Sequence, residues 1–247
     1  MYKFQNKTKY QRYLQLSKSK VLEGHLPATD LFSPQSFADF IKKYNTVILK
    51  PAIGSRGAGV FKISSLGKNT YQVHTENTTS ILNGIKETTN YFKENKKPCP
   101  YMVQQWVPLA EHEGKPMDFR VMVQRKKTAT PWTVTGKLAR LAGPGYIVTN
   151  NKRSKATVLT PLEALKLIGV DSNTGKNLLM KIDNIALEAA KQLTKYRPNH
   201  RVWGLDMGVD QDNHIWIIEA NNAPMIISFK DLNDQGVLKL IKQYKDG

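Results

Sequence analysis

The sequence predicts a mixed fold of the α/β or α+β class. Three observations carry this. Short apolar strand runs alternate with amphipathic helices along the chain. A glycine-rich turn at residues 54–59 stands between two strand runs. The segment WGLDMGVDQDNHIWIIEAN, residues 203–221, has the pattern of a long β-hairpin. The 247 residues suffice for one large domain or two small ones with a real hydrophobic core.

Each element has its own local reason. Residues 7–16 read as a helix, followed by a polar connection with Pro27. Pro34 suits the first position of a second helix, whose Phe37, Phe40 and Ile41 share one face. TVILKP, residues 46–51, is a short buried strand. Strands follow at 60–63 and 71–74. Residues 79–93 read as a helix, with Ile81, Ile85, Thr89 and Phe92 about one turn apart. Residues 101–107 form a strand ended by Pro108, and AEHEGK, 110–115, a charged loop. Long strands are expected at 118–124 and 132–141, then a polar, basic loop at 143–155. The longest helix spans 174–196, with Leu178, Ile182, Ile185, Ala189 and Leu193 as its apolar stripe and Pro198 just beyond. A helix over 232–244 closes the chain.

Composition narrows the function classes. Thirty-seven basic and 20 acidic residues give a net charge of +17, which favours a polyanion or reflects a lysine-rich solvated surface. The lysines are scattered, and no compact nucleic-acid signature accompanies them, so nucleic acid is not the favoured partner. No apolar run approaches the roughly 18 residues of a membrane span, and the basic N-terminus lacks a signal-peptide core. Cys99, the one cysteine, fits a reducing, cytoplasmic interior; it lies between two prolines with no evident base. The five histidines make no zinc pattern, and there is no Gly-x-Ser-x-Gly elbow. No sequence signal fixes an oligomeric state.

Four motifs carry chemistry. In the hairpin, Asp206 and Glu219 can face each other, and Asn221 shares the face of Glu219. Two carboxylates and an amide oxygen are hard ligands suited to Mg²⁺ held with phosphates. Without a cation the carboxylates would repel by about 4 kcal/mol at ~4 Å and an effective dielectric of ~20. Asp210 and Asp212 belong to the turn. In LKPAIGSRGAGVFKI, Lys50 ends a strand and Gly54, Ser55, Arg56, Gly57 and Gly59 form a loop whose backbone N–H groups can approach phosphate oxygens. The same loop also reads as an ordinary hairpin turn. In MVQQWVP, a Pro-terminated strand can offer backbone polar groups and the apolar walls Trp106 and Val107 to an adenine edge, or can be plain core. Asp118 and Arg120 share a strand face, with Arg140 in the adjacent strand; they suit an anion site or a structural Asp118–Arg140 ion pair.

In this order (Lys-Pro-x-x-Gly-Ser-x-Gly-x-Gly-Val, Gln-Gln-Trp-Val-Pro, Asp-Phe-Arg, Asp…Glu-x-Asn) the chain resembles the ATP-grasp superfamily, most closely the YheC/YheD family of endospore coat-associated proteins, from Asn6 to about Pro224. The resemblance implies an ATP-grasp fold of two α+β subdomains enclosing a nucleotide cleft, lacking most of the usual N-terminal domain. It divides the chain into a helical lead-in over 1–45, a glycine-loop subdomain over 46–107 and a metal-bearing subdomain over 108–247. It implies ATP with Mg²⁺, Mn²⁺ being an alternative metal. Lys7, with Lys9 as competitor, Lys50 and the 54–59 loop would hold phosphates. Gln104, standing where many members carry Glu, would line adenine with Gln105, Trp106 and Val107. Asp118 would meet the ribose, and Asp206, Glu219 and Asn221 the metal. Arg120 and Arg140 would face the γ-phosphate or an acyl phosphate. The implied activity is ATP-dependent ligation of a carboxylate to an amine or thiol, the substrates being unidentified and, given the charge, anionic candidates. The competing expectations are an ATP-binding, spore-associated coat protein without turnover and a basic polyanion binder.

Overall fold

The computed structural model describes residues 8–54, 58–127, 131–149, 155–232 and 234–246. Among them the strands form two antiparallel sheets that face each other across a cleft. The first has the order β1-β6-β2-β3-β4-β5: β1 Thr29–Leu31, β2 Thr46–Pro51, β3 Phe61–Gly67, β4 Thr70–Thr75, β5 Thr78–Asn83 and β6 Tyr101–Gln105. Helices α1 Lys9–Leu16, α2 Pro34–Tyr44 and α3 Ile85–Asn95 belong to the same half of the sequence. Alternation along β2 sends Val47 and Leu49 to one face, where they pack with Phe61, Ile63, Val103 and the helix residues Phe37, Ile41 and Phe92. Ile48 and Lys50 are left for the cleft face.

The second sheet has the order β10-β9-β8-β11-β12: β8 Lys115–Gln124, β9 Thr133–Leu141, β10 Thr157–Leu159, β11 Val202–Val209 and β12 Ile215–Asn221. The short β7, Glu111–His112, pairs with β8. The sheet's inner face, with Phe119, Val121, Leu205, Met207 and Ile217, packs on α5 (Ser172–Thr194), whose Leu178, Ile182, Ala186, Ala189 and Leu193 are all buried. The shorter α4 (Pro161–Leu167) packs alongside. On the opposite face, Met122 and Leu138 meet Phe229, Leu232 and Ile241, the last from the closing helix α6 (Gln235–Asp246). The helix starts are written in sequence. Ser33 and Thr160 make reciprocal capping boxes with Ser36 and Glu163, each followed by a proline, and Asp171 caps α5 through the Asn173 and Thr174 N–H groups.

Two local expectations are corrected. Residues 79–93 are not one helix: 78–83 pair with β4, and helix begins only at Ile85. Gly84, at φ 92°, breaks the segment, and Leu82 is buried while Ile81 is exposed, the alternation of a strand. The helical spacing of Ile81 and Ile85 is a coincidence of two elements. AEHEGK is a tight hairpin, with Glu113 and Gly114 both at positive φ between the paired His112 and Lys115. The other elements lie where expected to within a few residues. The short β1, β10 and α4 carried too little periodicity to be expected.

Candidate functional site

The cleft between the sheets holds a cavity of about 340 Å³. From the second sheet it is lined by Asp118, Arg120, Arg140, Asp206, Glu219 and Asn221. The register explains why. Asp206 lies opposite Glu219 on one side and Arg120 on the other, while Asp118 lies opposite Arg140. Directly opposed residues of antiparallel strands share a face, so all of these project into the cleft.

A β-bulge makes this possible in β12. Met207 pairs with Ile217 but Asp206 with Glu219, so Ile218 is the extra residue. Ile215 and Ile217 therefore point to the helix-covered core, whereas Glu219 and Asn221 point to the cavity. The Ile218 carbonyl accepts from Lys50 Nζ at 3.3 Å.

Every charged group in the cavity has a partner. Arg120 grips Asp206 through two nitrogens, at 2.6 and 3.1 Å. Arg140 is bidentate on Asp118, at 2.7 and 2.5 Å, and reaches Asp206 at 3.0 Å. Asn221 Nδ2 donates to Asp206 at 3.2 Å, and Lys9 Nζ lies 2.9 Å from Glu219. Lys50 Nζ donates to Gln104 Oε1 at 2.7 Å, and Gln104 Nε2 donates to Thr29 Oγ1 at 2.8 Å. The structural ion pair Asp118–Arg140 is thus formed, within a larger network. Four basic side chains (Lys9, Lys50, Arg120, Arg140) stand against three carboxylates, so the cavity carries an excess of positive charge.

Burial tunes these groups. Desolvation pulls the Lys50 ammonium down to about 8, with Glu219 and Asp206 opposing and Lys9 adding to the fall. Burial works against the Asp206 carboxylate, but Arg120 and Arg140 prevail and hold its pKa low. For Asp118 burial prevails over Arg140 and raises the pKa, although the Thr149 hydroxyl also hydrogen-bonds it. Because the folded pKa of Lys50 is below its ordinary 10.5, its contribution to stability is full above pH 10.5 and is lost as pH falls through about 8. A polyanion bound beside it would restore the proton. Binding of a polyphosphate near pH 8 should therefore take up protons, measured by calorimetry in buffers of different ionisation enthalpy. Lys50→Arg should remove most of that uptake, since guanidinium stays charged.

The first sheet supplies the other wall. Trp106 and Val107 line the cavity, with Lys62 Nζ 4.1 Å from the Trp106 ring centre. The backbone N–H groups of Gln105 and Trp106 are spent on the carbonyls of Ala28 and Thr46, at 2.8 and 3.2 Å. Neither is therefore left to donate to a ligand edge. Gly54 and Gly59 adopt positive φ, 97° and 77°, as a glycine loop requires. Lys7, Ser55, Arg56 and Gly57 lie outside the described residues, as do residues 150–154 of the basic loop. Lys9, named only as a competitor, lines the cavity. Its N–H donates to the Ala52 carbonyl at 2.9 Å, docking the start of α1 at the end of β2.

Other lining residues went unremarked in sequence. Leu109 lies over Gly208 and Pro224 over Gly204, so closely that a Cβ at either glycine would overlap them. Glycines four apart in a strand, flanking Asp206, are a readable sign of close approach. Thr149 and the 143–149 loop are tied across the cleft, since the Gly145 carbonyl is 3.0 Å from His74 Nε2. The donor chemistry of Asp206, Glu219 and Asn221 suits Mg²⁺: hard oxygens on one face, both carboxylates already charge-balanced by chain cations that an incoming metal could replace.

A family profile described as "YheC/D like ATP-grasp" matches residues 2–245. The chain is 27% identical over 224 residues to the endospore coat-associated protein YheD of Bacillus subtilis (strain 168), covering 88% of this chain and 48% of YheD. To YheC of the same organism it is 25% identical over 214 residues, covering 85% and 57%. The chain thus spans about half the length of the curated relatives it matches. Among solved structures, D-cycloserine synthetase DcsG superposes with a TM-score of 0.55 over 97% of this chain and 69% of DcsG, at 10% identity, a likeness of fold. With the profile spanning nearly every residue and the two-sheet cleft in place, the chain belongs to the YheC/D-like ATP-grasp family.

Proposed function

We propose that the chain is an ATP- and Mg²⁺-dependent ligase that joins a carboxylate to an amine or thiol through an acyl phosphate. The observation that carries this reading is the in-register Asp206–Glu219 pair facing Lys50 across one cavity rich in cationic side chains. Membership of the family supports it.

In this reading Lys50, Lys9 and the 54–59 loop, including Ser55, Arg56 and Gly57, hold the phosphates, with Lys7 beside them. Gln104, Gln105, Trp106 and Val107 surround adenine, and Asp118 meets the ribose. Asp206, Glu219 and Asn221 hold the metal, which when bound neutralises phosphate charge. A substrate carboxylate oxygen attacks the γ-phosphorus, and the bond to the bridging oxygen breaks to release ADP. The amine nitrogen then attacks the acyl carbon, losing a proton as inorganic phosphate departs. Arg120 and Arg140 stabilise the charge that develops on the transferred group, and no side-chain nucleophile is needed. The two arginines can do so without leaving Asp118 and Asp206 unpaired, since each guanidinium has five donors.

The test is an ATP-turnover screen with pooled amino acids, peptides and cell-wall or coat fractions, followed by mass spectrometry of the product. ADP released only with a particular fraction, together with a new condensed mass, supports the ligase. A second reading is favoured by the complete internal pairing of the cavity and by the names of the relatives: an ATP-binding, spore-associated protein without turnover. It predicts an ATP·Mg²⁺-induced rise in Tm with no ADP formed from any pool. Among the described residues no helix is long and apolar enough to cross a membrane.

A further inference from the structure

The cavity has two ends, set by what covers the glycines of β11. Asp206 lies midway between Gly204 and Gly208 on the cleft face. Four strand residues span about 13 Å. Leu109, at the end of the Trp106–Val107 linker, covers the Gly208 end. Pro224 covers the Gly204 end, and Phe229 continues the cover onto Gly136 of β9. The proposed nucleotide wall and the segment after Asn221 therefore flank the carboxylates from opposite sides.

The second end has an unusual chemistry. Residues 222–229, NAPMIISF, contain no ionisable side chain. Ile226 and Phe229 are turned inward, onto the cluster with Met122 and Leu138. Met225 and Ile227 are turned outward and line the cavity while remaining 50% and 46% exposed. A short 3₁₀ turn over Ile227–Phe229 holds this arrangement. These are not core residues left incompletely covered, because the same segment buries their neighbours. They form a fixed apolar lip beside the reacting groups, the kind of surface that covers an apolar ligand. Among the described residues that line the cavity, Arg120, Arg140 and Lys9 each already hold a carboxylate (Asp206, Asp118 and Glu219), and Lys50 lies on the far wall, held by Gln104, while no cation stands in the 222–229 segment itself.

We infer that the carboxylate substrate has an aliphatic or aromatic body, which packs on Met225, Ile227 and Pro224 while its carboxylate reaches Arg120. This rests on the ligase reading and names its acceptor class: uncharged apolar carboxylates over the anionic ones that net charge alone would suggest.

The experiment supplies ATP·Mg²⁺ and hydroxylamine, which traps an acyl phosphate as a hydroxamate. L-Leucine and 3-phenylpropionate are compared with L-glutamate and glutarate. The apolar acids should give at least about tenfold higher kcat/KM, the discrimination expected for burying a few methylenes. Met225→Asp and, separately, Ile227→Asp should lower kcat/KM for the apolar acids about tenfold or more, while the ATP·Mg²⁺-induced rise in Tm reports that the fold and nucleotide site persist. Higher turnover of the dicarboxylates, or an unchanged preference in both variants, overturns this inference alone. Absence of hydroxamate from every acid, with the Tm rise intact, overturns the ligase reading and this inference with it.

Discussion

In the proposed ligase, where Glu219 would be a direct metal ligand, Glu219→Gln should reduce ADP formation by about 100-fold or more, since loss of such a ligand costs at least what loss of its supporting partners does. The substitution keeps the side-chain shape and one oxygen but removes the charge. It also removes the ionic partner of Lys9, 2.9 Å away, leaving a cation in a cavity that already has an excess of them. The two consequences separate by measurement. Affinity for free ATP should hold or rise, because a negative charge beside the phosphates is gone. The further gain that Mg²⁺ gives to ATP binding should shrink. If Glu219→Gln kept both ADP release and the Mg²⁺-dependent rise in Tm, Glu219 would not be a metal ligand.

The largest effect on stability should come from Arg140→Met. Arg140 is about 8% exposed and bridges Asp118 and Asp206. Removing it leaves the buried Asp118 with the Thr149 hydroxyl but no cation, and weakens the hold on Asp206, at a cost of about 3–5 kcal/mol. The double substitution Arg140→Met with Asp118→Leu should recover much of that loss, because a buried pair replaced by well-packed apolar groups is often nearly neutral. Chemical denaturation of both variants and the parent makes the comparison. Recovery has a direction in pH as well. Asp118 already has a raised pKa from burial, so the single variant should regain stability on acidification, as the carboxyl takes up a proton and sheds its charge.

Much of the site was legible because strand alternation is a strict rule. The shared face of Glu219 and Asn221 and that of Asp118 and Arg120 follow from period two once the strands are recognised, whereas strict alternation would set Ile218 opposite Asp206, and only the bulge brings Glu219 there. The α5 stripe was legible for the matching reason at period 3.6. What the sequence hid is what depends on partners distant along the chain. Lys9 reaches Glu219 across 210 positions. Thr149 touches Asp118 only because the loop after β9 turns back over the sheet. Gln104 is buried as the link between Lys50 and Thr29 rather than as a free lining group. Residues 79–83 misled because threonine and isoleucine at three- and four-residue spacing satisfy both periods in a short window.

The extra residue in β12 has a consequence for how this chain can vary over time. It works as a phase shifter: upstream of Ile218 the strand counts its faces one way, and downstream the other. Insertions and deletions in the 210–214 turn leave that count untouched, because the ladder is re-established before the shift. Loss of the single residue at 218 would leave a regular ladder with Glu219 still opposite Asp206. Straightening the strand with every residue kept would instead set Ile218 opposite Asp206, turn Glu219 and Asn221 toward α5 and carry a carboxylate into an apolar layer. The end of the hairpin thus tolerates a shorter strand but not an unbulged one of the same length.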